Sequence, residues 1–415
     1  MKVIHVSTYD GNGGAGRAAF ALHQAMLASG ADSSMLVAQK TSSDPHVLAI
    51  QGRRELQWKA AQFADRKLWD LQKSENKTWR SPARFGALNA DVINESDADI
   101  VNLHWVTNGF LSIKEISRIT KPIVWSLYDM WTFSGTEHYG ADSPDARWRS
   151  GYTSENRVSG ESGYDIDRAA WERKKKFWKQ PMHLVPASSW LADRAAHSEI
   201  AHSWPITRIA HVIDTNIFSP MDRSLARARH SLPTDVPLVL FLSSAGIADH
   251  RKGWELLQAS MTEVKSAFPL VELVVAGPAS PAYTHPAGIP ITWIGQVEGN
   301  EALQSLYASA NVVAVPSKED NMPLTAMEAQ SVGVPVAAFD IGGLPDIVLD
   351  GVTGSLAPAF EVSALASGII DSLGSAGASQ GLAARSHSLE TWSPKVVVES
   401  YLEIYQQEIA SHSKH

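Results

Sequence analysis

The 415-residue chain contains no cysteine. That excludes disulfides and thiolate metal ligands and fits a reducing compartment. Long hydrophobic runs are also lacking. No stretch reaches the roughly 18 apolar residues of a membrane-spanning helix. The opening MKVIHVSTYDGNGG passes straight into a strand and a glycine-rich turn, without the apolar core of a secretory leader. Positive charge is scarce in the second half: residues 1–208 carry 26 Lys and Arg against 23 Asp and Glu, whereas 209–415 carry 10 against 21. A net charge of −8 argues against nucleic acid as a partner. The remaining composition, 44% apolar and 19% charged, is that of a globular protein, and the length predicts two domains.

Short apolar strands alternate with helices along the chain. Lys2–Thr8 reads as strand, Gly11–Gly16 as loop and Arg17–Ser29 as an Ala-rich helix. Ser34–Gln39 is strand, 53–74 helical, Ile100–His104 strand, Leu111–Ile119 helix and Ile123–Leu127 strand. The Gly/Ser/Asp-rich region 140–168 reads as an irregular surface loop. After a hinge-like Ile209–Pro220 the alternation restarts, and a last helix covers Lys395–Ile409. This predicts an α/β chain of two doubly wound parallel-sheet (Rossmann-like) domains facing an interdomain cleft. The boundaries are 1–208 and 209–392, with a terminal helix in 393–415 packing back on the first domain.

The densest chemistry lies between Pro316 and Gly354. A buried strand, Asn311–Val315, runs into the acidic pair Glu319–Asp320, then a helix from Leu324 to Ser331 carrying Glu328. Val334–Phe339 and the turn Gly342–Pro345 follow. Carboxylates thus stand past the carboxyl end of a parallel strand, where open α/β sheets bind ligands. A helix N-terminus there offers N–H groups to an anion, while the carboxylates accept from sugar or ribose hydroxyls. Upstream, Arg251 and Lys252 precede Gly253 and a helix, a placement suited to neutralising a diphosphate. Gly13, Gly14 and Gly16 allow backbone to approach a phosphate or sugar, with Arg17 adding charge. His104 and Trp105 end a strand, where they can orient and stack on an acceptor sugar. GNGGAG is not GxGxxG and has no acid at the dinucleotide spacing, which rejects a nicotinamide site. Basic stretches at Arg53–Lys73, Lys77–Arg84 and Arg173–Lys179 carry Trp58, Trp69, Trp79, Phe177 and Trp178 among the cations. Such segments suit either an anionic membrane surface or solvated helix faces.

Five blocks carry a family pattern: GNGGAGRAA at 11–19, DIVNLHWVTNGFLS at 99–112, PIVWSLYDMWTFSG at 122–135, HRKGWELL at 250–257, and EDNMP through GGLPD. On these the chain resembles a family 4 retaining glycosyltransferase of GT-B fold, of the bacterial exopolysaccharide, O-antigen or colanic-acid type. The resemblance implies a nucleotide-sugar donor, UDP-linked first and GDP-linked next, bound by the second domain. Donor contacts would come from Arg251, Lys252, Val297, Glu319, Asp320, Asn321, Met322, Leu324, Thr325 and Glu328, with Gly14 and Gly16 reaching the donor phosphate. In the family an acidic pair with the spacing of Asp320 and Glu328 marks this site, the first acid holding the sugar and the second the ribose. Glu319 and Asp320 both remain open for the first role. Gly13, Arg17, His104, Trp105, Asp129 and His138 would serve the acceptor, and the catalytic set is Glu319, Asp320, Arg251, Lys252, Tyr128 and His104.

Two positions depart from the family. Ile247 stands where an Arg is usual, and Tyr128 where His is usual. Asp97-Ala98-Asp99 and Asp165-Ile166-Asp167 imitate the metal-binding DxD of another transferase class, but no metal or other cofactor is expected. The implied activity is transfer of a hexose-type sugar to a growing, lipid-linked saccharide in the cytoplasm, with peripheral contact at the anionic inner leaflet. The alternatives are a GT-B epimerase or phosphorylase, or a non-catalytic sugar-nucleotide-binding subunit.

Overall fold

The computed structural model describes residues 1–75, 78–278 and 283–413. Lys77 of the second basic stretch and the last two residues of the terminal segment lie outside the described residues. The chain divides into two compact units, Met1–Ile209 with Val398–His415, and Ala210–Val397.

In the first unit six parallel strands form one sheet: β1 (Lys2–Tyr9), β2 (Asp32–Gln39), β3 (Val47–Ala49), β4 (Ile100–Leu103), β5 (Ile123–Leu127) and β6 (His183–Pro186). The spatial order is β3-β2-β1-β4-β5-β6. In the second unit β7 (Leu238–Leu242), β8 (Glu272–Ala276), β9 (Ile291–Gly295), β10 (Val312–Val315), β11 (Val336–Phe339) and β12 (Gly354–Ala357) are ordered β9-β8-β7-β10-β11-β12. The expected pair of doubly wound parallel sheets is therefore present, with the same winding in both units. The order reverses between β1 and β4 and between β7 and β10. Strands such as β10 (VVAV) and β4 (IVNL) are buried at every position, as sheets covered on both faces require.

Several local expectations change. The glycines at 13, 14 and 16 lie inside helix α1 (Gly13–Ala28), not in a loop before it. Leu111–Ile119 shrinks to a single turn, Ile113–Ile116, begun by the Ser112 side chain accepting from Glu115 N. The supposed surface loop 140–168 is anchored inside: Trp148 and Tyr152 are fully buried, and Arg147 pairs with Asp165 at 2.6 Å.

Many of the cation–aromatic stretches also turn inward. Trp58, on helix α2 (Arg53–Trp69), is buried and donates to Asn108 O at 2.8 Å. Arg80 is buried against Glu161 (3.2 Å) and Asp167 (3.5 Å). Lys174, on helix α3 (Ile166–Phe177), has no exposed surface and donates to the carbonyls of Trp131, Ser134 (3.1 Å) and Gly135 (2.8 Å). These residues are core, not membrane-facing.

The terminal helix α6 spans Pro394–His412. From Val398 onward it belongs to the first unit, where Tyr405 OH accepts from Asn102 (2.6 Å) and Tyr401 OH meets Ser126 Oγ (2.8 Å). Among the described residues no helix is long and apolar enough to cross a membrane.

Candidate functional site

In the second unit the polar cluster forms at the carboxyl ends of β7 and β10, where the strand order reverses. After β7 the chain makes a short 3-10 turn, His250–Lys252, started by the Asp249 side chain accepting from Arg251 N at 3.1 Å. Gly253 then adopts φ +69, and helix α4 (Trp254–Ala267) follows. A Cβ at Gly253 would lie 1.9 Å from Pro316 O, so only glycine lets this turn meet the end of β10. That contact delivers the two cations to the acidic loop.

Lys252 Nζ donates to Asp320 Oδ2 at 2.6 Å, and Arg251 Nη1 stands 3.7 Å from the same oxygen while donating to Glu319 O at 2.9 Å. Ser317 Oγ donates to Asp320 at 3.3 Å. From the other side Gly343 N donates to Asp320 O at 3.1 Å. A Cβ on Gly342 (φ +55) would fall 2.0 Å from that oxygen. Burial alone would raise the Asp320 carboxyl, but Lys252 and Arg251 overcome it and hold the group below its ordinary value. The site is therefore an ionised carboxylate gripped by two cations. Of the two acids, Asp320 makes the ion pairs, while Glu319 is half-buried and contributes its carbonyl.

Helix α5 (Leu324–Val332) opens beside this cluster with Pro323 at its N-cap and no side chain capping it. Its first N–H groups are thus available to an anion. Asp320 lies four residues before α5 rather than on it, so Asp320 and Glu328 do not share a helix face. Glu328 is fully buried, with Oε2 accepting from Tyr307 OH at 2.8 Å. Asn321 and Met322 are buried, while Leu324 and Thr325 are half-buried at the helix start. Val297 is half-buried just beyond β9, next to Gln296, which donates to Ser244 O at 2.9 Å. Ile247 packs on the core and supplies no substitute cation.

His211 was missed by sequence reasoning. It lies close enough to Asp320 to feel its charge, yet burial pulls its imidazole down to about 4. Its stretch read only as a hinge, and nothing local marks it.

In the first unit the corresponding strands carry hydrogen-bonded rings. His5 Nδ1 and His104 Nε2 are 2.9 Å apart, and His104 Nδ1 is 2.8 Å from Tyr128 OH. His5 and His104 are buried, and burial holds Tyr128 well above its ordinary value, hence neutral. The two predicted catalytic groups thus bond to each other. Asp10 accepts from Thr41 N, Thr41 Oγ1 and Ser42 N at 2.7, 2.8 and 2.9 Å, fixing the turn before α1. Gly16 sits against Tyr9, while Gly13 and Gly14 have open space around them; Arg17 is half-buried.

Beside the rings, Asp129 Oδ2 is 2.5 Å from His138 Nδ1 and accepts from Trp105 Nε1 at 3.1 Å. His138 Nε2 meets Ser81 Oγ at 2.8 Å. Ser81, His138 and Asp129 have the connectivity of a nucleophilic triad. Ser81 is only 3% exposed, however, so no substrate carbonyl can reach it, and the string serves to orient Asp129. Trp105 stacks on Tyr9 at 6.1 Å. Tyr9 and Ser81 are further members that the motifs did not flag.

The DxD carboxylates have protein partners: Asp97 and Asp99 with Lys2, Asp165 with Arg147, and Asp167 with Arg80.

The two six-stranded units with this site are a GT-B fold. Along 99% of this chain and 100% of the other, the structure superposes on sucrose-phosphate synthase from Thermosynechococcus elongatus with a TM-score of 0.67 at 18% identity. The Anabaena HepE protein in complex with UDP-glucose gives 0.63 at 15% identity, over 98% and 100% of the chains. Residues 236–375, which contain the Lys252–Asp320 cluster, match the family model of group 1 glycosyl transferases. The D-inositol 3-phosphate glycosyltransferase of Segniliparus rotundus is 37% identical over 156 residues, 35% of this chain and 34% of that protein. The chain spans about a third to a half of the length of the first curated relatives it matches.

Proposed function

We propose that the protein is a retaining glycosyltransferase that moves a hexose-type sugar from a nucleotide diphosphate donor to a saccharide or polyol acceptor. The observation that carries this reading is the Arg251–Lys252–Asp320 cluster beside the uncapped start of α5, at the strand-order reversal of the second unit. Two cations and a helix N-terminus meet the charge of a diphosphate as it leaves. Glu319, on the half-exposed part of the loop, is the acid best placed for donor-sugar hydroxyls, with Asp320 fixing the cations. Glu328 serves the ribose side, and Val297 the base side. UDP is the favoured nucleotide, in keeping with the UDP-glucose bound by the structurally similar HepE protein. The acceptor is assigned to the first unit, through Gly13, Arg17, Trp105, Asp129 and His138.

No metal is needed on this reading, because Arg251 and Lys252 supply the positive charge a divalent ion would bring. We further place the acceptor on a lipid, within surface polysaccharide synthesis, and the enzyme in the cytoplasm with part of its first unit touching the anionic inner leaflet.

The decisive experiment is twofold. UDP-sugars should raise the melting temperature, as any ligand selective for the folded state does. Transfer to lipid-linked acceptors should persist in EDTA. A protein stabilised by no nucleotide sugar would sink the reading. One observation favours a binding-only subunit as the second reading: His104 and Tyr128 are bonded to each other. Donor-induced stabilisation with no turnover on any acceptor would select it.

A further inference from the structure

A groove of about 370 Å³ opens on the first unit, between the end of α2, residues 82–84 and the start of α3. Its walls are Leu68, Leu71, Pro82 and Tyr164, and its polar members are Arg84 and Arg173. Leu71 is 52% and Tyr164 58% exposed, and Phe63, Trp79 and Phe85 from the same stretch of chain are also exposed. Leu71 and Tyr164 thus leave apolar surface in water at the groove itself, the mark of an interaction surface.

The arginines identify the occupant. Arg173 Nη2 reaches Arg84 O at 3.5 Å, and among the described residues neither guanidinium has an ion pair. Burial, and then the neighbouring Arg84, pull Arg173 down from its ordinary value. An arginine does not give up its proton, so both guanidiniums stay cationic at the groove. Among the described residues Asp65 is the one carboxylate whose charge reaches Arg173, and burial raises that carboxyl to about 6. An apolar trough ending in two guanidiniums complements a ligand with a hydrocarbon chain and a phosphate head.

We propose that this groove seats one acyl chain of an anionic phospholipid, with the lipid phosphate over Arg84 and Arg173. It gives the inner-leaflet contact proposed above a defined site and rests on that part of the reading alone. Buried Trp58, Trp178, Arg80 and Lys174 take no part.

The test is co-sedimentation with vesicles of equal parts phosphatidylglycerol and phosphatidylcholine, against phosphatidylcholine alone. The protein should partition to the anionic vesicles and release with salt. Arg84→Gln with Arg173→Gln should weaken partitioning by about fivefold per arginine removed. Leu71→Asp with Tyr164→Asp, at exposed positions, should weaken it more than tenfold. Arg84→Gln alone keeps the test valid should Arg173→Gln fail to fold. Three results would overturn the site: equal binding to neutral vesicles, no sedimentation of the unaltered protein, or variants that sediment like it. Release by inorganic phosphate at an ionic strength where chloride does not release the protein would also overturn it, marking a soluble-phosphate site. Stabilisation by UDP-sugars should be unchanged in all variants, so a failed lipid site leaves the donor site standing.

Discussion

The two units share one winding and fill its reversal point with opposite chemistry. Between β7 and β10 the second unit places Lys252 against Asp320, with Arg251 near both. Between β1 and β4 the first unit places His5 against His104, with Tyr128 completing a string of hydrogen-bonded rings. The same topology thus gives one end where a carboxylate and two cations meet and another closed by its own hydrogen bonds. Fold alone does not bring charges together; cations delivered by a tight glycine turn do.

The contrast can be broken most directly by activity. Asp320→Asn should cut transfer by about 10²-fold or more with a small change in melting temperature. Tyr128→Phe should leave transfer within about tenfold and lower stability instead, because His104 Nδ1 loses its partner. A Tyr128→Phe enzyme that is dead but fully stable would overturn the assignment of charge and structure to the two units.

Glycines sharpen it next. Gly253→Ala would push a Cβ into Pro316 O at 1.9 Å and force a positive φ on alanine, so both melting temperature and activity should fall strongly. Gly14→Ala meets no atom within 4 Å and lies in the first turn of α1, so its melting temperature should hold or rise slightly. Any activity lost there reports a ligand approaching the backbone.

Lys174→Met tests how the first unit is held together. It strips donors from the carbonyls of Trp131, Ser134 and Gly135, and should cost about 1–3 kcal/mol of stability. It should also loosen the loop that carries Asp129 and His138. The smallest expected effect is in pH. Burial lowers His23 from 6.5 to about 4. Between those values the unfolded chain binds more protons than the folded one, so stability rises with pH across that window and is lost on acidification. His23→Gln should flatten the difference between melting temperatures at pH 7 and pH 5.

Much of the fold was legible because parallel strands announce themselves. A run such as Val312–Val315, buried on both faces, cannot alternate with polar residues. The acidic loop and the HRKG turn were legible for a similar reason: glycines at contact points and charges at strand ends sit at fixed offsets. The failures have a common cause. Trp148, Tyr152, Arg80 and Lys174 lie in stretches that look like solvated loops or basic helices, and their burial depends on partners up to 87 residues away. His211 reaches the field of Asp320 from 109 positions upstream in the sequence, a distance no local pattern encodes.

By itself the sequence determined the class of fold and the place where acids and cations gather, since strand periodicity, strand-end acids and required glycines are local properties. Only the tertiary structure decided which acid the cations grip, that His104 and Tyr128 close on each other, and which basic residues are core. Pairing and burial are set by which distant side chains arrive at the same point, and charge changes its meaning with the solvent it loses there.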